Sequence, residues 1–464
     1  MPTTVENTTR SSRPRSVFAR ASSTVITSGV IVGLGAVAGM TPAAATPDVT
    51  AADCTDSNTV SSITGGTRAD IQTLLTDGAS LICLVGSFDI DETLLANGSV
   101  TLFGNPGATL DGDDVTQIFS AEGMTTTTIR NLTFQNGYAT DGGAVKSFDV
   151  DVANSTFIDN AAGDRGGAIY AAYAAVAEST FLKNDTATHL PDLTQAGGAI
   201  YAEETIDVTS SVFDDNSARD GGALATPNSI TVENSSFVGN RAWHEGGALL
   251  AEEMSVSFST FFDNEAAVPV VGEENPGVAL YVAYTGVAQT YLYGNVFAGS
   301  SDYPQVGVGE VVDPDAVVDL GGNVFSTSAS IETDVTPDVS SLFDQSIAAL
   351  FGTDRVLADH GGSTLTLALA ENSPAIDIVP MLVEDRMAPS GVSLSDTDQR
   401  GEPRTGEFYD AGSFEFQPSD LVTEPELAAT GSDPNVAGWL VGIAALLLGS
   451  GVAVAIAARR RTRC

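Results

Sequence analysis

The middle of the chain repeats a unit of about 24 residues, and this repeat restricts the possible folds more than any other feature. Each unit contains a short polar run that ends in Phe, and these rings are Phe134, Phe157, Phe181, Phe213, Phe237 and Phe261. Most copies carry Asn three positions later, at Asn160, Asn184, Asn216, Asn240 and Asn264. A unit this short cannot bury an apolar side alone, so stacked copies must share one core.

A second motif, Gly-Gly-Ala followed by an aliphatic residue, lies between the Phe motifs. It begins at Gly142, Gly166, Gly197, Gly221 and Gly246. Short alternating runs rich in Val, Thr, Ile and Phe between Gly or Asn are typical of strands joined by tight turns. Paired glycines permit a sharp corner, and Asn at a turn can adopt the left-handed conformation and bond to neighbouring copies. The sequence therefore predicts an all-β, right-handed parallel β-helix with about three strands in each coil.

The repeat also predicts where the solenoid begins and ends. We expect the repeats over residues 81–340 and a C-terminal continuation of the solenoid over 341–416, so that one core runs from about 81 to 415. Phe157, Phe181, Phe213, Phe237 and Phe261 should stack inside it. Residues 46–80 are expected to form an N-terminal cap with a short amphipathic helix, because terminal repeats must shield an exposed strand edge.

The first 45 residues have the composition of a secretory signal peptide. Four Arg residues precede an apolar stretch over 25–40, and Ala43–Ala45 supply small residues for cleavage. The stretch is short for a membrane span and ends at a cleavage-type site. We therefore expect residues 1–45 to be removed on export.

The last 38 residues have the three parts of a sortase sorting signal. A motif precedes an apolar run over 436–458 and a tail of Arg residues; its residues are Leu427, Ala428, Ala429, Thr430 and Gly431. The apolar run is long enough to span a bilayer, and the basic tail would stay in the cytoplasm. Residues 417–426 are rich in Pro and acidic groups and are expected to be an extended linker before the signal at 427–464.

The pentapeptide resembles the Leu-Ala-x-Thr-Gly variant of the sorting motif, which a sortase class typical of high-GC Gram-positive bacteria uses. The resemblance implies that a class E-like sortase cuts after Thr430 and joins Thr430 to peptidoglycan. The alternative is a membrane anchor at 436–458 that is never cut. In either case this segment is the expected membrane contact, permanent in the second case and temporary in the first.

The charge of the chain limits its partners. It has 19 Lys and Arg against 60 Asp and Glu, which gives a net charge of −41, and both Arg-rich ends are expected to be lost. Such a field repels nucleic acid, anionic lipid and acidic polysaccharide. The only lysines are Lys146 and Lys183, both inside the repeats, which argues against a pilin polymerised through lysine side chains.

Cysteine usage agrees with export. Cys54 and Cys83 are the cysteines outside the C-terminal tail, and an oxidising location permits a disulfide between them. In the chain-entropy account such a bond would stabilise the fold by roughly 3–4 kcal/mol.

The repeats resemble those of bacterial parallel β-helix surface proteins and the passenger repeats of chlamydial polymorphic outer-membrane proteins. Four blocks near the end, at 359–366, 373–377, 398–404 and 410–415, resemble the choice-of-anchor Q domain, with His360 where that family usually has Asn. This resemblance implies export and surface display and no chemistry. Gln399, Arg400 and Arg404 are expected to tie down the last coils through nearby carboxylates, with a catalytic Arg as the alternative.

Parallel β-helices also carry polysaccharide hydrolases and lyases, so candidate catalytic groups must be weighed. The candidates are carboxylates at Asp111, Asp113, Asp114, Asp214 and Asp215. All five fall where turn residues are expected, so we predict no catalytic residue among them. His189, His244 and His360 are far apart in sequence, and no metal or cofactor site is expected. An exposed Trp243 could stack on a sugar, although packing over a neighbouring coil is the favoured alternative.

These observations favour a cell-wall-anchored acidic surface protein, adhesin-like or structural, without catalysis. Its partner would be an extracellular glycan or protein. A carbohydrate-active enzyme on the same scaffold is the alternative, and two facing carboxylates in a groove would favour it.

Overall fold

The computed structural model describes residues 50–186, 195–267, 277–283, 289–299, 304–309, 316–327, 337–353, 355–380, 395–417 and 420. The expected signal peptide, the sorting motif at 427–431 and the apolar run at 436–458 lie outside the described residues. Within the described part of the chain, no helix is both long and apolar enough to cross a membrane.

Almost all regular structure is β. The first strands are β1 (Thr59–Ser61), β2 (Leu81–Val85), β3 (Ser87–Asp89), β4 (Leu94–Ala96), β5 (Val100–Asp111), β6 (Phe119–Ala121), β7 (Thr126–Gln135), β8 (Tyr138–Asp141), β9 (Val145–Lys146), β10 (Asp149–Ala153), β11 (Thr156–Ile158) and β12 (Ala161–Arg165). The central strands are β13 (Ile169–Ala177), β14 (Thr180–Leu182), β15 (Asp185–Thr186), β16 (Ile200–Thr209), β17 (Val212–Asp214), β18 (Ser217–Asp220), β19 (Leu224–Ala225), β20 (Ser229–Glu233), β21 (Ser236–Val238) and β22 (Arg241–Glu245). The last strands are β23 (Leu249–Ala251), β24 (Glu253–Ser257), β25 (Thr260–Phe262), β26 (Glu265–Ala266), β27 (Leu280–Val282), β28 (Thr290–Tyr293), β29 (Val296–Ala298), β30 (Val306–Val308), β31 (Val317–Gly321), β32 (Val324–Phe325), β33 (Val379–Pro380) and β34 (Phe408–Tyr409).

Strands β1 to β32 form a parallel β-solenoid of about 10 turns, as the repeat predicts, whereas β33 and β34 form a separate antiparallel pair. Strands one coil apart pair in parallel, so that Phe157 lies beside Phe181 and Phe181 beside Phe213. Six successive coils also contribute one strand each to a separate sheet, made of β8, β12, β15, β18, β22 and β26. The right-handed sense expected from the sequence stays a prediction.

The Phe residues form a continuous stack inside the solenoid, which confirms the predicted core. Phe157, Phe181, Phe213 and Phe237 are fully buried. The ring of Phe213 lies 4.8 Å from that of Phe181 and 4.9 Å from that of Phe237, and the ring planes differ by 7° and 4°. The stack extends beyond the five predicted rings, since Phe325 and Phe343 still stack with centroids 4.9 Å apart.

A ladder of buried Asn side chains runs beside the Phe stack. Asn184 Nδ2 donates to the carbonyl oxygen of Phe157 at 3.0 Å, and its backbone N–H donates to Asn216 Oδ1 at 3.0 Å. Asn216 makes the same bonds to Phe181 and Asn240. Each Asn therefore joins the coils on either side of it, as predicted. The left-handed conformation expected at the Asn belongs instead to the residue before it, such as Lys183 with φ 55° and Asp215 with φ 53°.

The two glycines of the Gly-Gly motif have different roles. Gly221 has a φ of 62°, in the left-handed region that favours glycine. A Cβ at Gly222 would lie 2.0 Å from the carbonyl oxygen of Gly247 in the next coil. The first glycine turns the chain and the second allows adjacent coils to approach, which explains why both are needed at this corner.

The N-terminal region contains helix α1 (Arg68–Thr76), where the sequence predicts an amphipathic helix. Ile71 and Leu75 are buried, and the Gln72 side chain both accepts from and donates to the backbone of Leu95 at 2.9 Å. Cys54 and Cys83 form a disulfide with Cα atoms 5.7 Å apart. Parallel pairing begins already at β1, before the expected start at residue 81, because Thr59 pairs with Cys83. The capping role of residues 46–80 stays a prediction.

The C-terminal region differs from the prediction. The bridge between Val324 and Leu342 is the last described backbone pairing that continues the coils. Helix α2 (Ile347–Phe351) and the described residues up to 416 do not add coils but pack along one side of the solenoid. Thr364 Oγ1 donates to the carbonyl oxygen of Ser210, and the backbone N–H of Gly412 donates to the carbonyl oxygen of Gly294 at 2.7 Å. We call the described residues within 347–416 the return segment.

The return segment creates a second apolar core outside the solenoid. This core contains Phe258, Phe262 and Val296 from the coils together with Leu350 and Phe414 from the return segment. The outward position before each Phe of the ladder changes accordingly. Thr156 and Thr180 are half-buried in the uncovered coils, whereas Val296 is fully buried where the segment covers it. The return segment thus supplies apolar side chains that bury this outer side of the coils.

Candidate functional site

The Gly-Gly corner brings acidic, basic and aromatic side chains together at the surface. By this name we mean the residues directly before the paired glycines, such as Asp220 and Glu245, and the side chains that contact them. The residues before the glycines pair from coil to coil, so that Asp141 lies beside Arg165, Arg165 beside Ala196, Ala196 beside Asp220 and Asp220 beside Glu245. The parallel register therefore collects charged side chains that are about 24 residues apart in sequence into one row.

In the earlier coils of the solenoid, this corner contains a cluster of aromatic and cationic side chains. The rings of Tyr170 and Tyr201 stack with centroids 5.8 Å apart, and the Arg165 guanidinium lies 4.9 Å and 5.0 Å from them. Lys146 lies 4.8 Å from the Tyr170 ring, and the Tyr170 hydroxyl is hydrogen-bonded to Glu203. The facing ring surfaces of the two tyrosines are occupied by each other and by Arg165. This cluster stabilises the corner and offers little free ring surface to a sugar.

In the next coils along the chain, the same corner contains Asp220, His244 and Glu245. His244 Nδ1 lies 2.7 Å from Asp220 Oδ1, and His244 Nε2 lies 3.7 Å from Glu245 Oε1. One potential ligand atom from each of the three side chains lies within 4.8 Å of the other two. The imidazole thus lies between two carboxylates that come from neighbouring coils.

A local irregularity positions His244. Strand β22 has one residue more than β18 between equivalent pairs, since Ala218 pairs with Ala242 but Asp220 pairs with Glu245. Such an extra residue makes a bulge, which bends the strand and redirects a side chain. Here the bulge falls at Trp243 and His244. It brings the imidazole toward the Asp220 carboxylate of the preceding coil.

The surroundings change the proton affinities of these groups. The hydrogen bond that His244 makes with the Asp220 carboxylate, aided by the charges of Asp220 and Glu245, raises the pKa of His244 above its ordinary value. Burial raises the pKa of Glu245, against the opposing charge of His244. Arg219 Nη1 lies 2.9 Å from Asp220 Oδ2 and balances that carboxylate. The surroundings therefore shift the pKa of both His244 and Glu245 upward.

The carboxylates that the sequence proposed as enzyme candidates do not converge. Asp113 and Asp114 have φ values of 52° and 59°, which is the left-handed conformation of turn residues. Asp111 is partly buried, but hydrogen bonds from Asn136 and Gln135 hold its pKa below the ordinary range.

Asp214 and Asp215 are neighbours in one turn and also lack a facing carboxylate at equivalent positions. Burial and the charge of Asp215 raise the pKa of Asp214. At the level of Asp214 the neighbouring coils present Leu182 and Val238. The carboxylate pair that does meet across coils, Asp220 and Glu245, was missed in the sequence. Its signal was that both residues directly precede a Gly-Gly motif.

Trp243 and the other described histidine lie in different settings. Trp243 is 37% exposed, and its ring lies 4.1 Å from the Arg241 guanidinium. His360 is in the return segment, where Nδ1 is hydrogen-bonded to Thr366 Oγ1 at 3.0 Å and the ring contacts Phe414. His189 lies outside the described residues. Among the described residues, no second histidine joins His244 in its cluster.

The three basic or amide residues predicted to fix the end of the solenoid are buried in the return segment. Arg404 Nη1 contacts Glu415 Oε2 at 2.9 Å, and Arg404 Nη2 donates to Asn234 Oδ1 at 3.0 Å. Gln399 accepts from Ser236 Oγ at 2.7 Å. These residues therefore tie the return segment to middle coils near 234–236, and not to the last coils as expected.

Arg400 belongs to the same buried group. Its guanidinium lies 2.8 Å from Asp398 Oδ2 and 3.7 Å from the centroid of the Phe414 ring. Every described cation of this group is thus paired with a carboxylate or an aromatic ring inside the fold. The arrangement is structural, because none of these side chains is exposed to a substrate.

Comparison with known proteins adds one finding. Residues 154–172, which run from the Phe157 motif through the following Gly-Gly corner, match the repeat of the Chlamydia polymorphic membrane protein. No curated protein matches the chain. The chain is therefore similar over one coil to the repeat of a membrane protein, and this is the repeat that forms the solenoid.

Proposed function

We propose that the chain is an exported, acidic surface protein that binds an extracellular glycan or protein without catalysis and is fixed to the cell wall through Thr430. The observation that carries this proposal is the solenoid of about 10 turns, whose repeat matches that of a polymorphic membrane protein over residues 154–172. A long solenoid presents equivalent side chains along one extended surface, which suits binding to large partners. The likeness of 359–415 to the choice-of-anchor Q domain also supports display.

Binding can be tested with residues 46–430 on arrays of glycans and extracellular-matrix proteins. We expect saturable binding to at least one neutral or basic partner and none to acidic polysaccharide, since the chain carries a net charge of −41. Binding should weaken as salt increases if the acidic surface takes part. Absence of any binding, together with release of sugars from a polysaccharide panel, would contradict the proposal.

The anchoring step can be tested at the sorting motif. Changing Thr430 to Ala should leave the protein in the membrane with residues 431–464 attached, because the sortase would no longer recognise the side chain of the residue whose carbonyl its thiol attacks. Wild-type protein should instead be released only by enzymes that cut peptidoglycan. Ser432→Ala, just beyond the pentapeptide, is the matched control and should behave as wild type. Wild-type protein that keeps residues 432–464 and is extracted by detergent alone would disprove cell-wall attachment.

A carbohydrate-active enzyme is the second candidate, and the meeting of Asp220 and Glu245 is the observation that favours it. Glycosidases use two carboxyl groups, one of them protonated at neutral pH. Burial raises the pKa of Glu245, as such an acid requires. Asp220, however, is bound on both oxygens by His244 and Arg219, which leaves it poorly placed as a nucleophile. Loss of polysaccharide cleavage in Glu245→Gln would favour this alternative.

A further inference from the structure

The cluster of Asp220, His244 and Glu245 is not explained by the surface-display function. Its potential ligand atoms already lie within 4.8 Å of one another. The three side chains are 13%, 37% and 28% exposed, so they are partly sheltered yet open to solvent. They are also held by two neighbouring strands, β18 and β22, whose backbones are fixed by parallel pairing.

We propose that Asp220, His244 and Glu245 bind a divalent transition metal of the Zn²⁺ type, with one coordination position open to water or to a group from a bound partner. Imidazole and carboxylate ligands are the N and O donors that Zn²⁺ accepts at about 2.0–2.2 Å. Ligand atoms around such an ion lie about 3–3.5 Å apart, by the geometry of a tetrahedron with these bond lengths. One ring nitrogen of His244 and one oxygen from each carboxylate lie within 4.8 Å of one another, so shifts of the side chains alone would bring the three atoms into this range.

The donor set also argues for the class of metal. Ca²⁺ takes six to eight oxygen ligands and Mg²⁺ keeps an octahedral shell of oxygens, so neither is well served by an imidazole and two carboxylates. A site with three protein ligands and one open position is typical of Zn²⁺ that binds a further group. The two carboxylates neutralise the charge of the ion, and Arg219 lies on the outer side of Asp220.

A bound ion would replace contacts that the three side chains make with each other. Asp220 and Arg219 face His244 from the preceding coil, Glu245 is its neighbour in β22, and Tyr281 of the next coil is hydrogen-bonded to Glu245. Because the ligands come from two adjacent strands, loss of either His244 or Glu245 should weaken binding of the ion.

Trp243 supplies a reporter beside the site. The chain contains two tryptophans, and the second is Trp439 in the apolar run. In the full chain carrying Trp439→Phe, fluorescence would come from Trp243 alone. We expect a saturable change on addition of ZnCl₂ or CoCl₂, with one ion per chain by equilibrium dialysis. CoCl₂ should also give the visible absorption of a low-coordinate site, while CaCl₂ and MgCl₂ at millimolar concentration should not compete.

Variants decide whether the ion is held by these residues. His244→Gln and, independently, Glu245→Gln should each weaken Zn²⁺ binding at least tenfold while leaving the circular dichroism of the solenoid unchanged. His360→Gln removes a histidine from the return segment and should leave the affinity as it is. The proposal is overturned if His244→Gln binds Zn²⁺ as tightly as the parent chain, or if Ca²⁺ competes equally. Each of these results would indicate diffuse attraction of cations to an acidic surface.

Discussion

Replacing Phe213 by Ala is expected to lower the free energy of unfolding by roughly 3–5 kcal/mol, the usual cost of truncating a buried Phe. Phe213 is fully buried, and its ring is stacked between those of Phe181 and Phe237 at 4.8 Å and 4.9 Å. Truncation would leave a cavity on the axis of the stack and remove two ring contacts. Contacts in a solenoid pass only between neighbouring coils, so the loss would weaken both interfaces of this coil.

Two further variants test whether the loss comes from the ring stack between coils. Phe213→Leu should cost clearly less than the Ala variant, because Leu110 occupies the same ladder position and pairs with Phe134 in the native chain. Phe343→Ala should also cost less, since Phe343 is only partly buried and ends the described stack. Chemical denaturation of all three proteins measures the differences. Equal losses for Phe213→Ala and Phe343→Ala would show that stacking between coils contributes little.

The solenoid could be predicted because its core depends on position in a repeat. The Phe residues recur at one point of each unit, so parallel stacking must bring them together, and no detail of the loops changes that result. The same reasoning holds for the Asn ladder, where each amide serves the coil before and after it. The left-handed conformation was predicted at the Asn itself, and this error shows the limit of reasoning from the repeat. Sequence identified the turn, but the left-handed backbone lies one residue earlier, at Asp215 and its equivalents.

The return segment could not be predicted in the same way, because it carries no repeat. Its residues contact the solenoid through partners such as Ser236 and Thr260, which are more than 150 positions away. The sequence of the coils nevertheless contains a sign that one side of the solenoid is covered. The outward Thr of uncovered coils gives way to Val at position 212 and again at 296, which indicates that something apolar covers that side. The sequence does not say which segment provides the cover.

The candidate site was missed for a related reason. Asp220 and His244 are 24 positions apart, which is no recognised ligand spacing, and only the coil register makes them neighbours. In addition, the bulge in β22 displaces His244 by one residue relative to a regular coil. A repeat alignment would bring Asp220 and Glu245 together before their Gly-Gly motifs. It would not place the imidazole between them.

Replacing Arg404 by Met should cost about 3–5 kcal/mol, the usual penalty when one partner of a buried ion pair is removed. Arg404 is buried between Glu415 of the return segment and Asn234 of the solenoid, and its guanidinium lies 4.3 Å from the Phe258 ring. Met keeps most of the volume but leaves the Glu415 carboxylate without its cation. Hydrogen exchange should report faster exchange of the Gly412 and Ser413 amides, which are bonded to the solenoid.

The exposed pair of Arg241 and Glu265 provides the comparison for this variant. These side chains are 45% and 63% exposed and 3.5 Å apart, so Arg241→Met should cost at most about 1 kcal/mol. If Arg404→Met has an equally small effect and leaves exchange at Gly412 unchanged, the buried pair does not hold the return segment in place.

The pH dependence separates the charge of Arg404 from its packing. Burial and the charge of Glu415 raise the pKa of Asp410 to about 7, and burial also raises the pKa of Glu415. A carboxyl whose pKa is raised on folding stabilises the fold while it is protonated, and this contribution is lost as the pH rises through the folded pKa. The wild-type protein should therefore lose some stability between about pH 4 and 7, as Asp410 and Glu415 lose their protons.

Without Arg404 both carboxyls would hold protons more tightly still. The deficit of Arg404→Met should then be smaller at pH 5 than at pH 8, whereas a deficit that is equal at both pH values would mean that lost packing, and not an unpaired charge, causes it.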